Sequence, residues 1–135
     1  MYLMGAWKQY VVDKGFSTSA AVTQYYVVKR TAAGSAGPVV GPVTAVTDVP
    51  FGVAQEEVTT AEQARGKQIA VALIGISVCI AGAAITAGQR LTLGATGKVV
   101  PAVAASSIVG LAMSDASGDG KQVSVLLALG SPVHP

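Results

Sequence analysis

The side chains that could carry catalysis or bind a metal are few and widely separated. The chain of 135 residues has one cysteine, Cys79, and one histidine, the penultimate residue His134. A zinc site needs several Cys or His ligands, so this pair cannot form one. The sequence has no Gly-x-Ser-x-Gly elbow, and no Ser, His and Asp can be plausibly grouped into a triad. We therefore expect neither an enzyme nor a cofactor.

Two glycine-containing segments resemble ligand-binding loops but lack the residues that such loops need. "GATGK" (94–98) has two residues between its glycines and no Ser or Thr after Lys98, so it does not match a phosphate loop and predicts a β-hairpin turn. "SDASGDGKQ" (114–122) contains Asp115 and Asp119, but no Glu follows to supply the bidentate ligand of a calcium site. We expect these two carboxylates to bond to the backbone of their own turn.

The stretch "IAVALIGISVCIAGAAITAG" (69–88) has no charged residue and is long enough to cross a bilayer as a helix. It has no Trp or Tyr at its borders, and from Ile69 to Leu73 alternate residues fall on opposite sides of an extended chain. This period of two predicts two core strands that meet at Gly75 and are apolar on both faces, and no membrane span. Cys79 lies inside the stretch, where a buried and unreactive thiol is expected.

Composition and turn spacing predict an all-β fold. Hydrophobic residues make up 51% of the chain and charged residues 12%, which argues against disorder. The pattern predicts an antiparallel β-barrel or sandwich, because turn signals recur at roughly ten-residue spacing. The segment 10–17 could be a strand that enters a turn at residues 13–15, and strands are predicted at about 21–30, two within 44–55, 67–74, 76–81, 89–93, 97–103, 108–113 and 121–129. The Gly- and Pro-containing segment 31–43 is predicted to be a loop or extended connection.

The one helix signal is "EEVTTAEQARG" (56–66). Thr59 or Thr60 can cap such a helix, Glu62 and Gln63 lie where they can bond back, and Gly66 can end it. One or two turns are all that fit.

Aromatic and basic residues are concentrated at the start of the chain. Residues 1–30 hold six of the seven aromatic residues, and four Lys or Arg against one Asp. We predict an N-terminal arm (1–20) and a β-domain (21–135). Nucleic-acid-binding folds show denser clusters of Lys and Arg, so a protein partner is favoured, with Trp7 and Tyr10 as anchors that fill its pockets. The first residues lack the pattern of a signal peptide, which predicts folding in a reducing cytoplasm.

Four segments occur in an order that resembles the small head-decoration, or capsid cement, proteins of tailed bacteriophages. They are "PFGVAQEEV" (50–58), "GKQIAVALIG" (66–75), "AGAAITAGQRLTLGATGKVVPA" (81–102) and "IVGLAMSDASGDGKQVSVLLA" (108–128). The resemblance covers residues 43–130, is looser through 25–34 and is absent from 1–20.

The resemblance implies a compact β-barrel or sandwich with a short helix and no catalytic activity. It implies a place on the outer surface of the mature virion head, as trimers on local three-fold axes that clamp neighbouring subunits of the major capsid protein. By this interpretation the arm reaches onto the capsid, with Tyr2, Trp7 and Tyr10 as anchors and Lys8 and Lys14 meeting acidic groups. The same aromatics could instead pack on the protein's own β-domain.

A receptor- or carbohydrate-binding β-domain displayed on a virion surface is the alternative function. Sugar sites commonly use exposed aromatic side chains beside paired polar groups. From residue 31 onward the chain has Phe51 as its one aromatic residue, so that part of the sequence does not supply such a platform.

Overall fold

The structure is a computed structural model, and it describes residues 9–12, 15–34, 37–103 and 106–129. Over these ranges the chain forms ten strands and one short helix. In chain order they are β1 (Gln9–Val12), β2 (Ser17–Thr18), β3 (Val27–Gly34), β4 (Gly37–Pro42), β5 (Pro50–Ala54), α1 (Thr60–Ala64), β6 (Val71–Ile80), β7 (Arg90–Leu93), β8 (Val99–Pro101), β9 (Gly110–Ala112) and β10 (Gln122–Leu127).

The strands form one sheet in the order β2-β4-β3-β5-β6-β10-β9-β7-β8, and β1 pairs with β6 outside this path. The pairs are antiparallel apart from β2 with β4, which is parallel. Across the described strands the sheet does not close into a barrel, so the fold is sandwich-like. The prediction of an all-β fold with one short helix is confirmed, in its sandwich form.

The central strands are buried on both faces. Buried side chains form two hydrophobic clusters, and neighbouring residues of one strand point into different clusters because alternate side chains leave a strand on opposite sides. These neighbours are Val27 and Val28 of β3, Val53 and Ala54 of β5, and Ala72 and Val71 of β6. The second cluster also holds Phe16, whose ring meets that of Phe51 edge-on at a centroid distance of 5.6 Å.

The apolar run is core strand, as predicted, but it forms one strand rather than two that meet at Gly75. β6 continues through Gly75, which adopts a left-handed φ of +99° that only glycine takes without strain. β5 pairs with the beginning of β6 and β10 with its end. The strand therefore changes partner at mid-length without stopping. No helix in the described part of the chain has the length and apolar character to span a bilayer.

Cys79 is fully buried in the first cluster, which confirms its prediction as a core thiol. Burial raises the pKa of this thiol to about 12 because the charged thiolate would lose its hydration. The reactive thiolate form is therefore negligible at neutral pH.

The predicted helix is confirmed as α1, with Thr59 as its N-cap. The Thr59 hydroxyl accepts the Glu62 amide at 3.2 Å, and the Glu62 carboxylate accepts the Thr59 amide at 3.0 Å, which completes a capping box. Gly66 follows the last turn with φ +79°. Gln63 does not bond back, and its side-chain amide instead donates to the Thr18 carbonyl of β2 at 3.2 Å.

Segment 31–43 was predicted to be a loop or extended connection, and it is not a loop, because most of it belongs to the antiparallel pair β3–β4. Its glycines and prolines suggested a break between strands. Gly41 instead lies where the segments that carry Ser19 and Thr31 come close together. A Cβ atom at Gly41 would lie 2.4 Å from the Ser19 hydroxyl oxygen and 2.9 Å from a methyl carbon of Thr31. Glycine here lets neighbouring chain segments come together inside the sheet.

The hairpin predicted at "GATGK" is confirmed. β7 and β8 pair antiparallel on either side of it, and the Gly94 amide donates to the Lys98 carbonyl at 2.7 Å. Gly97 has φ +97°, which places it in the left-handed region that such turns require.

Residues 9–12 and 16–18 of the predicted arm take part in the same sheet and core, as β1, β2 and the buried Phe16. The division of the chain at residue 20 stays a prediction.

Candidate docking surfaces

The acidic turn at 114–122 is bonded to two neighbouring loops. The Asp115 carboxylate accepts the Ala87 amide at 2.7 Å, and the Asp119 carboxylate forms an ion pair with Lys98 at 2.9 Å. The expectation that both carboxylates bond to their own turn is wrong, because two loops that are distant in sequence pack beside it. No group of three or more His, Cys, Asp or Glu side chains suited to a metal occurs in the part of the chain that the structure describes.

Four of the five predicted capsid-binding residues, Tyr2, Trp7, Lys8 and Lys14, lie outside the described residues. The fifth, Tyr10, belongs to β1, where its backbone pairs with Gly75. Their role as capsid contacts therefore stays a prediction.

β1 determines where the first residues of the chain join the domain. Ala72 is paired with both Val12 and Val53, so β1 and β5 lie on opposite sides of β6 at this point. Ile76 is likewise paired with Gln9 on one side and with β10 on the other. β1 thus covers the second hydrogen-bonding edge of β6 from residue 72 to 76, and its first residue, Gln9, lies opposite Ile76.

Apolar side chains are exposed close to that point. Ile74 of β6 is 64% exposed and Leu126 of β10 is 41% exposed. Leu126 is paired with the half-buried Ile76, two residues from Ile74. We call these three residues the β6–β10 surface. Large apolar side chains that cluster on a surface are typical of an interaction site.

A second apolar region is a groove beside β8, with a volume of about 490 Å³. Val46 and Val103, which both line it, are 56% and 67% exposed. Its lining carries no charged side chain among the described residues, and it includes Leu93, Pro101, Ser106 and Ser107. We call this region the β8 groove.

The loop that carries Val46 is held by one carboxylate. Asp48 accepts hydrogen bonds from the amides of Thr44 at 2.9 Å and Ala45 at 3.1 Å, and from the Lys29 ammonium of β3 at 3.1 Å. The Thr44 amide bond, followed by the bond from Lys29, lowers the pKa of Asp48 from 3.8 to about 2. Val46 is therefore presented on a loop that is fixed before any partner binds.

We expect Asp48→Ala to lower the thermal unfolding midpoint at neutral pH, with a difference from the unsubstituted protein that depends on pH. The folded-state pKa is depressed, so the stabilisation is complete above the unfolded pKa of 3.8 and is lost as the pH falls through about 2. Thermal unfolding at pH 7, 5, 3 and 2 measures this difference. It should be constant from pH 7 to 5, smaller at pH 3 and smaller again at pH 2, where about half of the folded carboxylates are protonated. A difference that persists unchanged at pH 2 would contradict the role of the carboxylate.

Sequence reasoning missed both surfaces. It predicted a strand within 44–49, whereas this segment forms the Asp48-bonded loop and β5 begins at Pro50. The signal that was available is Asp48 itself, four residues after Thr44, because Asp side chains commonly bond to nearby backbone amides in turns. The apolar exposure of Ile74 and Leu126 had no sequence signal, since both lie in alternating apolar strands.

The sequence model of the phage cement proteins matches residues 9–127 of the chain. The crystal structure of the N base of the head fiber gp8.5 in bacteriophage phi29 has the same fold, with a TM-score of 0.70 and 22% sequence identity. The match covers 94% of this chain and 100% of that one. No curated protein sequence matches the chain. The family match confirms the resemblance inferred from the sequence, and the phi29 structure supports the fold alone.

Proposed function

The chain belongs to the phage cement protein family, and from this premise we propose that it binds the outside of the mature phage capsid and stabilises the lattice of the major capsid protein. We propose that it does so as a homotrimer at local three-fold axes. The observation that carries the proposal is the family match, which spans residues 9–127. The role is structural rather than catalytic, and it involves no cofactor, nucleic acid or membrane.

The proposed capsid contacts are the N-terminal residues Tyr2, Trp7, Lys8, Tyr10 and Lys14. Support comes from the position of β1, which begins at Gln9 beside the β6–β10 surface. A segment that starts there can extend onto a neighbouring subunit while its base is held by four paired residues. The aromatic side chains would supply large buried areas at low cost in conformational entropy, and the two lysines would meet acidic groups at the rim.

The β6–β10 surface is the second proposed contact with the capsid. Ile74 and Leu126 expose apolar area next to the exit of the arm, so both contacts can engage one capsid subunit boundary. Each contact is small, but contacts made through linked copies on a lattice add by avidity. A sheet with buried clusters on both faces transmits load between these contacts with little deformation.

The experiment is co-sedimentation of the purified protein with undecorated heads, before and after expansion. We expect saturable binding to expanded heads alone, at a fixed ratio to the major capsid protein, and trimers on those heads by cryo-electron microscopy. No binding by a well-folded protein would refute the capsid role and direct the search to surface receptors.

Three variants locate the contacts. Deletion of residues 1–8, which leaves β1 in place, and Ile74→Asp should each weaken binding to expanded heads by at least about tenfold, as loss of a buried apolar anchor does. The matched control is Val49→Asp, since Val49 is 72% exposed but lies on the loop that follows the Asp48 turn. It should bind as the unsubstituted protein does. An equal loss of affinity for expanded heads in all three variants would mean that binding does not depend on the proposed surface.

A further inference from the structure

One face of the sheet carries a row of accessible side chains that crosses the four neighbouring strands β7, β9, β10 and β6. Arg90 of β7 is paired with Leu111 of β9. Leu126 of β10 is paired with Leu111 on one side and with Ile76 of β6 on the other. Residues directly opposite each other in antiparallel strands project from the same face, and none of these four side chains is buried. We call them the four-strand row. With strands about 4.8 Å apart, the row is about 14 Å long.

The four-strand row extends the β6–β10 surface and ends in a charge. Ile76 and Leu126 already belong to that surface, and Leu111 adds a third apolar side chain, which is half-buried. Gln9, the first residue of β1, is paired with Ile76 at one end of the row, and the exposed Arg90 lies at the other end. A row that is apolar along its length and cationic at one end has a direction. A partner that matches both features can therefore bind in one orientation.

The Arg90 guanidinium has no acidic partner within the described residues, where it forms neither an ion pair nor a hydrogen bond. Asp115 is held close to this part of the chain, but its carboxylate accepts the Ala87 amide at 2.7 Å. The ion pairs of the described chain lie elsewhere, between Lys29 and Asp48, Lys67 and Glu62, and Lys98 and Asp119. A partner that covers Leu111 would also remove water from Arg90. Because an unpaired charge is costly to dehydrate, that partner must supply an acceptor.

A carboxylate is the acceptor that fits best. The planar guanidinium presents a fork of N–H donors that matches the two oxygens of an Asp or Glu side chain. A phosphate matches the same fork, but nucleic-acid contacts use clustered cations, and the other three members of the row are apolar. Arginine beside buried apolar anchors is typical of the residues that carry the binding energy of protein interfaces. The row is thus suited to a protein surface that carries an apolar strip and a carboxylate.

We infer that the four-strand row docks on a strip of the major capsid protein that is apolar over about 10 Å, the span of three neighbouring strands, and that ends in a carboxylate paired with Arg90. The inference rests on the capsid-binding function proposed above. It adds the chemistry of the capsid surface and the orientation of the protein on it. The apolar part of the row supplies buried area, and the ion pair at its end selects one direction of docking.

The first test compares two charge reversals by co-sedimentation with expanded heads. Arg90→Glu should weaken binding by at least about tenfold, because it sets two carboxylates against each other. Arg30→Glu is the matched control, since Arg30 is also exposed on a strand, and β5 separates that strand from β6. It should bind as the unsubstituted protein does. Equal affinities of the two variants would overturn this inference alone, whereas absence of binding by the unsubstituted protein would overturn the capsid role as well. The dispersion of the amide NMR signals checks that both variants are folded.

A second test identifies the carboxylate. Arg90→Lys places a primary amine at the end of the row, and a water-soluble carbodiimide joins an amine to a carboxylate through an amide bond with no spacer. Peptide mass analysis of decorated heads should then find position 90 joined to an Asp or Glu of the major capsid protein. Arg30→Lys, treated in the same way, should give no capsid peptide joined at position 30. Equal yields at the two positions, or no capsid carboxylate joined at position 90, would overturn the inference.

Discussion

Replacement of Val71 by aspartate is expected to abolish folding. The Val71 side chain is fully buried in the second hydrophobic cluster, and it packs directly on the backbone of the neighbouring strand. A Cβ atom built on Gly52 would lie 2.4 Å from a methyl carbon of Val71, so no room remains for water around a carboxylate. An unpaired buried charge costs several kcal/mol, a large part of the total stability of a domain.

Ile74→Asp is the matched control for this prediction, since it places the same charge on the same strand, at a side chain that is largely exposed. It should fold with a change in the free energy of unfolding of about 0.5 kcal/mol or less. The soluble yield and the dispersion of the amide NMR signals measure both variants. A folded, cooperative Val71→Asp protein would show that Val71 is not a core residue. The sequence pattern predicts the same disruption at Ile76, but Ile76 is half-buried, and a smaller loss is expected there.

Elements whose signals are local were predictable from the sequence. Alternation around Val71 predicted a buried strand because β6 lies in the middle of the sheet, with a hydrophobic cluster on each face. The α1 cap was predictable because its capping box involves residues three positions apart. The hairpin at 94–98 was predictable for the same reason, since Gly97 in a five-residue segment between two apolar runs leaves few other conformations.

Features that depend on distant contacts were not predictable. Gly41 is a spacer between Ser19 and Thr31, and without their positions a glycine beside prolines has the composition of a loop. Asp115 bonds to Ala87, twenty-eight residues away in sequence, which the turn composition alone cannot show. The continuity of β6 through Gly75 depends on β5 and β10 lying end to end along one side of the strand.

The general location of function was predictable, whereas the docking surfaces were not. Four ordered segments were enough to identify the cement protein family, and with it the position on the outer surface of the virion capsid. The exposed valines at 46 and 103 come together only because the loop after β4 folds against the β7–β8 hairpin. The alternation that marks a strand does not show which of its apolar residues stay uncovered.

Gly110→Ala is expected to destabilise the fold by about 3 kcal/mol, at the upper end of the usual cost of overpacking. Gly110 lies in β9 between β7 and β10, opposite Leu91 on one side and Leu127 on the other. An added Cβ atom would lie 2.2 Å from the Leu126 carbonyl oxygen and 2.7 Å from a methyl carbon of Val125. The first contact is with backbone, so the clash can be relieved only if β9 and β10 move apart and weaken their hydrogen bonds.

Gly118→Ala separates this clash from the general effect of replacing glycine. No atom lies within 4 Å of a Cβ built on Gly118, and its φ is not left-handed, so the variant should be neutral or stabilised by up to about 1 kcal/mol. Denaturant unfolding gives both free energies by linear extrapolation. A small effect at Gly110 equal to that at Gly118 would mean that β9 is free to shift away from β10.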